Sequence, residues 1–277
     1  MAATRTSEDY RAMEAAEKDV INGAEEHTPP PAVVLPFAIK HKHTRECLSE
    51  FLSTFVYCAF GLGVNAQVIL SAGAAGNYTS ITLAHINPAI TIALAVFGVF
   101  PWKKVPGYVI SQTLGALMGS LMIYTMFYQF IHKADPMQTE KTSVIFHTHP
   151  AKGVNHSAAF ICETFATMML LICLLALVDE KNRSTVVPNF PGCVGVLVVG
   201  IGMSFSMISS AALNPARDLG PRIMLSMVGY DGIFSANGTY FWIPLVAPTV
   251  GAILGCAVYL LFIMGHHPAK VVHHGFF

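Results

Sequence analysis

The chain has 277 residues, of which 53% are hydrophobic and 12% charged, and its 16 Lys+Arg balance 16 Asp+Glu for a formal net charge of zero at pH 7. An ordinary soluble domain carries roughly 25% charged residues, so this composition, with a mean hydropathy of +0.54, points to lipid as the solvent. The neutral balance leaves no basic surface for nucleic acid, and six cysteines placed singly (Cys47, Cys58, Cys162, Cys173, Cys193, Cys256) exclude a C-x-x-C metal or redox motif and read as small buried thiols.

In chain order, residues 1–39 mix Glu, Asp, Lys and Ala and then pass through Thr28-Pro29-Pro30-Pro31. They are predicted to be a disordered cytoplasmic tail without the apolar core of a cleaved signal. Residues 40–268 form the membrane domain, and 269–277 a second short cytoplasmic tail. Six apolar runs reach the roughly 20 residues that a helix needs to cross a bilayer: Cys47 to Ser71, Thr79 to Phe100, Gly107 to Ile131, Ser157 to Val178, Gly192 to Leu213 and Tyr240 to Met264. A seventh segment, Asn214 to Met227, is too short to cross and holds Arg217 and Arg222. It reads as a re-entrant half-helix, tolerated at membrane depth only where it lines a cavity or is buried in protein.

Basic residues before the first run (Lys40, Lys42, Arg45), between the second and third (Lys103, Lys104), between the fourth and fifth (Lys181, Arg183) and after the sixth (Lys270) alternate as six crossings with both termini inside require. The long loop from His132 to His156 opposes this only with Lys133, Lys141 and Lys152. Sequons at Asn77, Asn155 and Asn237 fall outside on this map, and the one at Asn182 inside.

Two pairs of features divide the chain into repeats. Glu50-Phe51-Leu52-Ser53-Thr54 is followed by His85-Ile86-Asn87-Pro88-Ala89, and Glu163-Thr164-Phe165-Ala166-Thr167 by Ala212-Leu213-Asn214-Pro215-Ala216. Asn is a good N-cap and Pro suits the first helical position. Each triplet is therefore expected to start a short helix with its positive end at membrane depth, and odd crossings per repeat invert the halves around a midplane site.

With two Asn-Pro-Ala triplets, each after a Glu-bearing run, and with Arg217, Asp218, Gly220, Pro221 and Arg222 after the second, the sequence resembles the aquaporin family and its aquaglyceroporin branch. Gly61-x-Gly63-x-x-Ala66-Gln67, Gln112 and Pro244-Leu245 also match, over roughly residues 45–268. The resemblance implies an all-α membrane protein, an aquaporin-like inverted-repeat helical bundle whose first repeat is truncated. From Glu50 to Asn87 is 37 positions and from Glu163 to Asn214 is 51, so the first half is 14 short. The family's second transmembrane helix is missing between Tyr78 and His85.

Further roles follow from the resemblance. Asn87 and Asn214 turn their amides into a pore where the half-helices meet. Gly202, Ala211 and Arg217 occupy three positions of an outer filter whose fourth lies on the absent helix; Ala211 replaces a common aromatic and implies a wider filter. Asp218, Arg222, Pro244 and Leu245 carry the glycerol-branch signature, while Glu50 and Glu163 support the pore loops beside His85. His149 stands where the branch usually has Tyr and, with His266 and His267, is expected to be solvated.

The implied activity is passive flow of glycerol and water, other small neutral solutes such as urea included, through a plasma-membrane homotetramer without cofactor, nucleic acid or catalysis. Because Thr79 to Phe100 is long enough to cross once, that crossing is expected to replace both the absent helix and the first half-helix, preserving topology at the expense of conduction. The alternatives are a non-conducting or regulatory subunit and a secondary transporter.

Overall fold

A computed structural model describes residues 39–71, 86–179, 181 and 190–267. The N-terminal tail, the last residues, His85 and the sequons at Asn77 and Asn182 lie outside the described residues. The helices belong to one compact unit beginning at His41. They are α1 (Lys42–Leu70), α2 (Pro88–Val96), α3 (Val105–Ala134), the short α4 (Glu140–Ser143), α5 (His156–Val178), α6 (Phe190–Ser209), α7 (Pro215–Met227) and α8 (Ile243–Phe262). Caps set several of the starts. The Asn155 side chain accepts from Ala158 N (2.8 Å) at the start of α5, and α3 and α8 open with Pro in their first turn, where the missing N–H removes no helical bond.

Among the described residues, five helical segments are long and apolar enough to span a membrane: Lys42–Leu70, Trp102–Ala134, His156–Val178, Phe190–Ser209 and Ala236–His266. The sequence led us to expect six. The expected second crossing is corrected: of its described residues, 86–100, only Pro88–Val96 form a helix, nine residues long. Asn87 caps the start of this helix and Gly98, at φ 72°, turns the chain away after its end. The first half-helix is therefore kept, not merged into a crossing. The fifth run is likewise shorter than expected, because Ser210, Ala211 and Leu213 take φ of 64°, 44° and 56° and leave the helix at Ser209.

Glycine contacts fix how the long helices pair. On α3, Gly107 meets His43 and Cys47, Gly115 meets Phe51 and Phe55, and Gly119 meets Phe55 and Cys58. The contacts advance together, so α1 and α3 run parallel. On α8, Gly251 meets Thr164 and Met168 and Gly255 meets Met168 and Leu171, so α5 and α8 also run parallel. Glycines four apart let backbones approach to van der Waals contact, the small-residue packing that joins helices in lipid. The two pairs are copies of one arrangement: an offset of 113 takes Phe51 to Thr164 and Phe55 to Met168, and 136 takes Gly115 to Gly251 and Gly119 to Gly255.

The copies are inverted. The starts of α1 and α3 share one face, which we call lower, where Lys104 Nζ pairs with Glu46 Oε2 at 2.6 Å. Their far ends meet the 135–155 loop at the upper face: Asn65 donates to Ile145 O (3.1 Å) and Gln138 to Tyr124 Oη (3.1 Å). α5 begins at that upper face, beside the start of the last span, with His156 Nε2 2.8 Å from Asn237 O. It ends below, where Asp179 Oδ2 accepts from Tyr259 (2.9 Å) and His267 (2.6 Å). These bonds, that from His267 foremost, hold the Asp179 carboxyl down to about 2.

Between α1, which ends at the upper face, and α3, which starts at the lower one, the chain makes one net crossing, and α2 supplies its lower half. Residues 72–85 join the end of α1 to Ile86 and are fewer than the roughly 20 of a span.

The expectation of six buried thiols is corrected too. All six cysteines are free, but only Cys58, Cys162 and Cys256 are buried; Cys47 and Cys193 are half-buried and Cys173 is exposed. A thiol behaves as a small apolar group and is at home on an outward-facing helix surface in lipid.

Candidate pore and outer filter

α2 and α7 point their N-termini at one another. The Asn87 side chain accepts from Ala89 N (2.9 Å), and that of Asn214 from Ala216 N (3.0 Å) and Arg217 N (3.3 Å), so each Asn-Pro-Ala starts a helix as expected. Across the junction Asn87 Nδ2 donates to Leu213 O and Asn214 Nδ2 to Ile86 O, both at 2.8 Å. Each carbonyl belongs to the residue just before the other Asn. Ile86 and Leu213 reach this position with φ of 47° and 56°, backbone that a non-glycine residue adopts only where its surroundings enforce it. Pro88, Ala89, Pro215 and Ala216 are buried behind the two amides.

Both glutamates brace these loops. Glu163, fully buried, accepts from Ser209 Oγ (2.6 Å), Ala212 N (2.8 Å) and Leu213 N (3.0 Å). Glu50, only half-buried, accepts from Ile86 N (3.2 Å) and Gln112 Nε2 (2.7 Å). Gln112 also donates to Thr91 Oγ1 (3.1 Å), and its own Oε1 is buried without a partner. The difference that the described residues show is one of burial, Glu163 being fully buried and Glu50 only half-buried.

From Leu213 toward the upper face runs a cavity of about 180 Å³ walled by α1, α6 and the loop before α7. Gly202, Ala211 and Arg217, the three filter residues expected from the sequence, all line it. Arg217 Nη1 donates to Phe146 O (3.0 Å), so the 135–155 loop aims the guanidinium. Tyr57 and Asn65 on α1 and Ser206 on α6 line the cavity as well. The sequence reading passed over them, although a polar Asn65 inside an apolar run was a signal available to it.

The glycerol-branch positions lie elsewhere. Asp218 is buried and pairs with Arg222. Its Oδ1 accepts from Thr148 N (2.7 Å) and Thr148 Oγ1 (2.6 Å), while Arg222 donates to Thr148 O (2.7 Å) and Ile233 O (3.0 Å). Pro244 and Leu245 sit in the first turn of α8. None of these four reaches the cavity; Asp218 and Arg222 pin the upper loops over α7. Both charges are satisfied by hydrogen bonds, the condition under which a buried ion pair persists.

His149 is not solvated as expected. It is half-buried with its Nδ1 enclosed, and its backbone exchanges bonds with Ser210, whose Oγ donates to His149 O (2.8 Å). Burial first, with Arg222 and Arg217 adding to it, lowers its proton affinity. His267 is held by Asp179, and only His266 is exposed.

Two inverted halves, with two and three spanning helices among the described residues and each with an Asn-capped half-helix that starts at a shared junction, define a multi-pass membrane channel and not an enzyme. The chain belongs to the major intrinsic protein family, whose model matches residues 73–259. It is 38% identical over 239 residues to Aquaglyceroporin-2 of Rhizophagus irregularis, covering 78% of this chain and 76% of that one. It is 35% identical over 254 residues to Aquaporin-9 of Homo sapiens, covering 83% and 86%. Among solved structures, the aquaglyceroporin from Plasmodium falciparum superposes with a TM-score of 0.67 at 29% identity, over 78% of this chain and 95% of that one.

Proposed function

We propose that this chain is a passive, bidirectional channel for glycerol and water, open to other small neutral solutes such as urea. The observation that carries the reading is the reciprocal pair Asn87–Asn214 at two opposed helix N-termini, with Arg217 over the cavity above it. Each Asn amide has two N–H donors. One is spent on the opposite loop and the second is left for the hydroxyl of a passing solute or water. Two positive helix ends facing each other disfavour protons and cations, while neutral hydroxylated molecules pass. Gly202 and Ala211 leave room for a carbon chain, and Arg217 keeps donors beyond the one held by Phe146 O. The aquaglyceroporin names of the relatives support glycerol as permeant.

The charge bias of Lys42, Arg45, Lys103, Lys104 and Lys181 supports a cytoplasmic lower face, and with it two cytoplasmic termini in a plasma-membrane homotetramer. The shortened first repeat, with Glu50 half-buried, supports a flux below that of a chain with a complete first half. It also favours the second reading, a non-conducting subunit that modulates complete relatives.

Swelling of cells in an isotonic glycerol gradient tests the channel reading. Expressing cells should swell faster than controls, without saturation and without dependence on pH or ion gradients. Water flux with no glycerol flux removes glycerol from the reading. Saturable uptake driven by an ion gradient replaces the channel with a transporter.

A further inference from the structure

The side of the α1–α3 seam that faces away from the pore carries a pattern that permeation does not use. Cys47, Phe51 and Phe55 of α1 face Gly107, Gly115 and Gly119 of α3. Successive helical residues turn by about 100°, so in two parallel helices the positions one before the contact row on α1 and one after it on α3 fall on the same side of the seam. Glu50 and Gln112 hold such places, and their bond of 2.7 Å beside the Asn87 loop marks that side as inner. The opposite places are Leu48, Leu52 and Val56 on α1 and Ile110, Leu114 and Met118 on α3, and all six are exposed. Two apolar rows thus flank the outer seam.

Charge is divided between the two sides in the same way. On the inner side Lys104 is paired with Glu46, one position before Cys47, at 2.6 Å. At the lower end of the outer rows stand Arg45, three positions before Leu48, and Lys103, seven before Ile110, spacings that keep a residue on one helix face. Both cations are exposed. Trp102, also exposed, adjoins Lys103. The first turn of α1 holds no acidic residue, so its positive helix end adds to the field of the two cations. Lys and Arg heads over apolar rows, with an indole at the water boundary, match a phospholipid part by part: phosphate, acyl chains and the level between them.

We infer that the outer seam of α1 and α3 binds an anionic phospholipid at the lower membrane surface, with its phosphate held by Arg45 and Lys103, its headgroup beside Trp102 and its acyl chains along the two apolar rows. The inference goes beyond the channel reading and does not depend on what the pore conducts. Charge selects the lipid. A phosphatidylcholine headgroup carries its own cation next to the phosphate and cancels most of the attraction, whereas an anionic headgroup leaves it whole. A soluble phosphate ester has no chains to cover the rows.

The two tryptophans of the chain supply the test. Trp102 lies at the lower face, before α3, and Trp242 caps α8, which starts at the upper one. Trp242→Phe leaves the first as the sole reporter, and Trp102→Phe the second. The full chain is reconstituted in phosphatidylcholine bilayers with a small fraction of lipid brominated near the headgroup, either phosphatidylglycerol or phosphatidylcholine. Fluorescence quenching then gives the relative binding of the two lipids at each tryptophan.

A cation at a membrane surface is worth about fivefold, the equivalent of about 1 kcal/mol. Trp102 should therefore report a preference for phosphatidylglycerol of about twentyfold, and Trp242 one within about twofold. Arg45→Gln and Lys103→Gln should each lower the Trp102 preference about fivefold, while Arg45→Lys, which keeps the charge, should preserve it. Lys181→Gln, a cation removed from the α5–α6 connection, should change it less than about twofold. Equal preference at both tryptophans, or an equal loss in Lys181→Gln, reduces the effect to general surface charge and overturns the inference. Shielding of Trp102 from both brominated lipids overturns it too, and is the result expected if a second copy of the chain covers the seam. The readout needs no flux, so a chain that passes no glycerol leaves the lipid seat standing and removes the channel reading alone.

Discussion

Asn87 and Asn214 each donate to the carbonyl preceding the other, at 2.8 Å in both directions, so the two half-helix ends are locked by one reciprocal pair of bonds. Each side chain also caps its own helix. The residues are 127 positions apart, yet neither loop has a satisfied conformation without the other.

That coupling is measurable. Asn87→Ala removes a cap worth about 1 kcal/mol and leaves the Leu213 carbonyl buried without its donor, costing about 1–3 kcal/mol more. Unfolding in micelles should show Asn87→Ala and Asn214→Ala each destabilised by about 2–4 kcal/mol on the same grounds. The double variant should lose about 1 kcal/mol less than the sum, because the two sites share partners. Strict additivity would mean that the junction is not a unit.

Gly220 marks where α7 leans on α3. A Cβ there would stand 2.7 Å from Ala116 Cβ, Leu117 N and Thr113 O, two of them backbone atoms that cannot swing away. Gly220→Ala should therefore destabilise by about 1–3 kcal/mol. Gly200, in α6, has nothing within 4 Å of its added carbon, and Gly200→Ala should stabilise by up to about 1 kcal/mol through helix propensity. Thermal unfolding of the two variants side by side separates close packing from a general intolerance of substitution.

The upper loop should loosen in acid. Burial, reinforced by Arg222, lowers the His147 imidazole to about 4, against a nearby Asp218 that acts the other way. An unfolded histidine titrates near 6.5, so below that pH the unfolded chain takes up a proton that the folded one refuses. Stability is therefore full above about pH 6.5 and falls as pH drops toward 4. His149, shifted in the same direction, adds to the slope. Unfolding midpoints between pH 7.5 and 5 should fall in the native chain and fall less in His147→Gln; equal slopes would exclude His147 as a source.

The inequality of the two glutamates suggests an addition instead of a deletion. Insertion of an apolar helix of roughly 18–20 residues, about one span, between Tyr78 and His85 should bury Glu50 as Glu163 is buried and raise glycerol flux. A native chain that already conducts like the repaired one, with the same assembly, would show that the shortened repeat is no handicap.

Much of this was legible before any coordinates. The Asn-Pro-Ala triplets announced two capped half-helices because Asn and Pro have fixed positional meanings at a helix start. Gly202, Ala211 and Arg217, which the resemblance assigns to a filter, converge on one cavity. The second run was misread because Thr79 to Phe100 is long and mostly apolar, and its hydropathy does not show that a helix starts within it at Asn87. Hydropathy also says nothing of what an irregular loop touches. The buried stretch Ile145-Phe146-His147-Thr148 packs over α7, positions Arg217 and Arg222, and leaves no periodic trace. His149 was assigned to solvent because loops usually are at the surface, whereas this one bonds to Ser210 and Arg217, two residues that line the cavity.

The most direct test of the account is stopped-flow light scattering on liposomes containing the purified chain, with a trapped pH dye recording proton entry in the same vesicles. Glycerol and water should both permeate faster than through protein-free liposomes, with no proton entry, and Asn214→Ala should abolish the difference. Permeability indistinguishable from empty liposomes, or glycerol movement accompanied by protons, would contradict it.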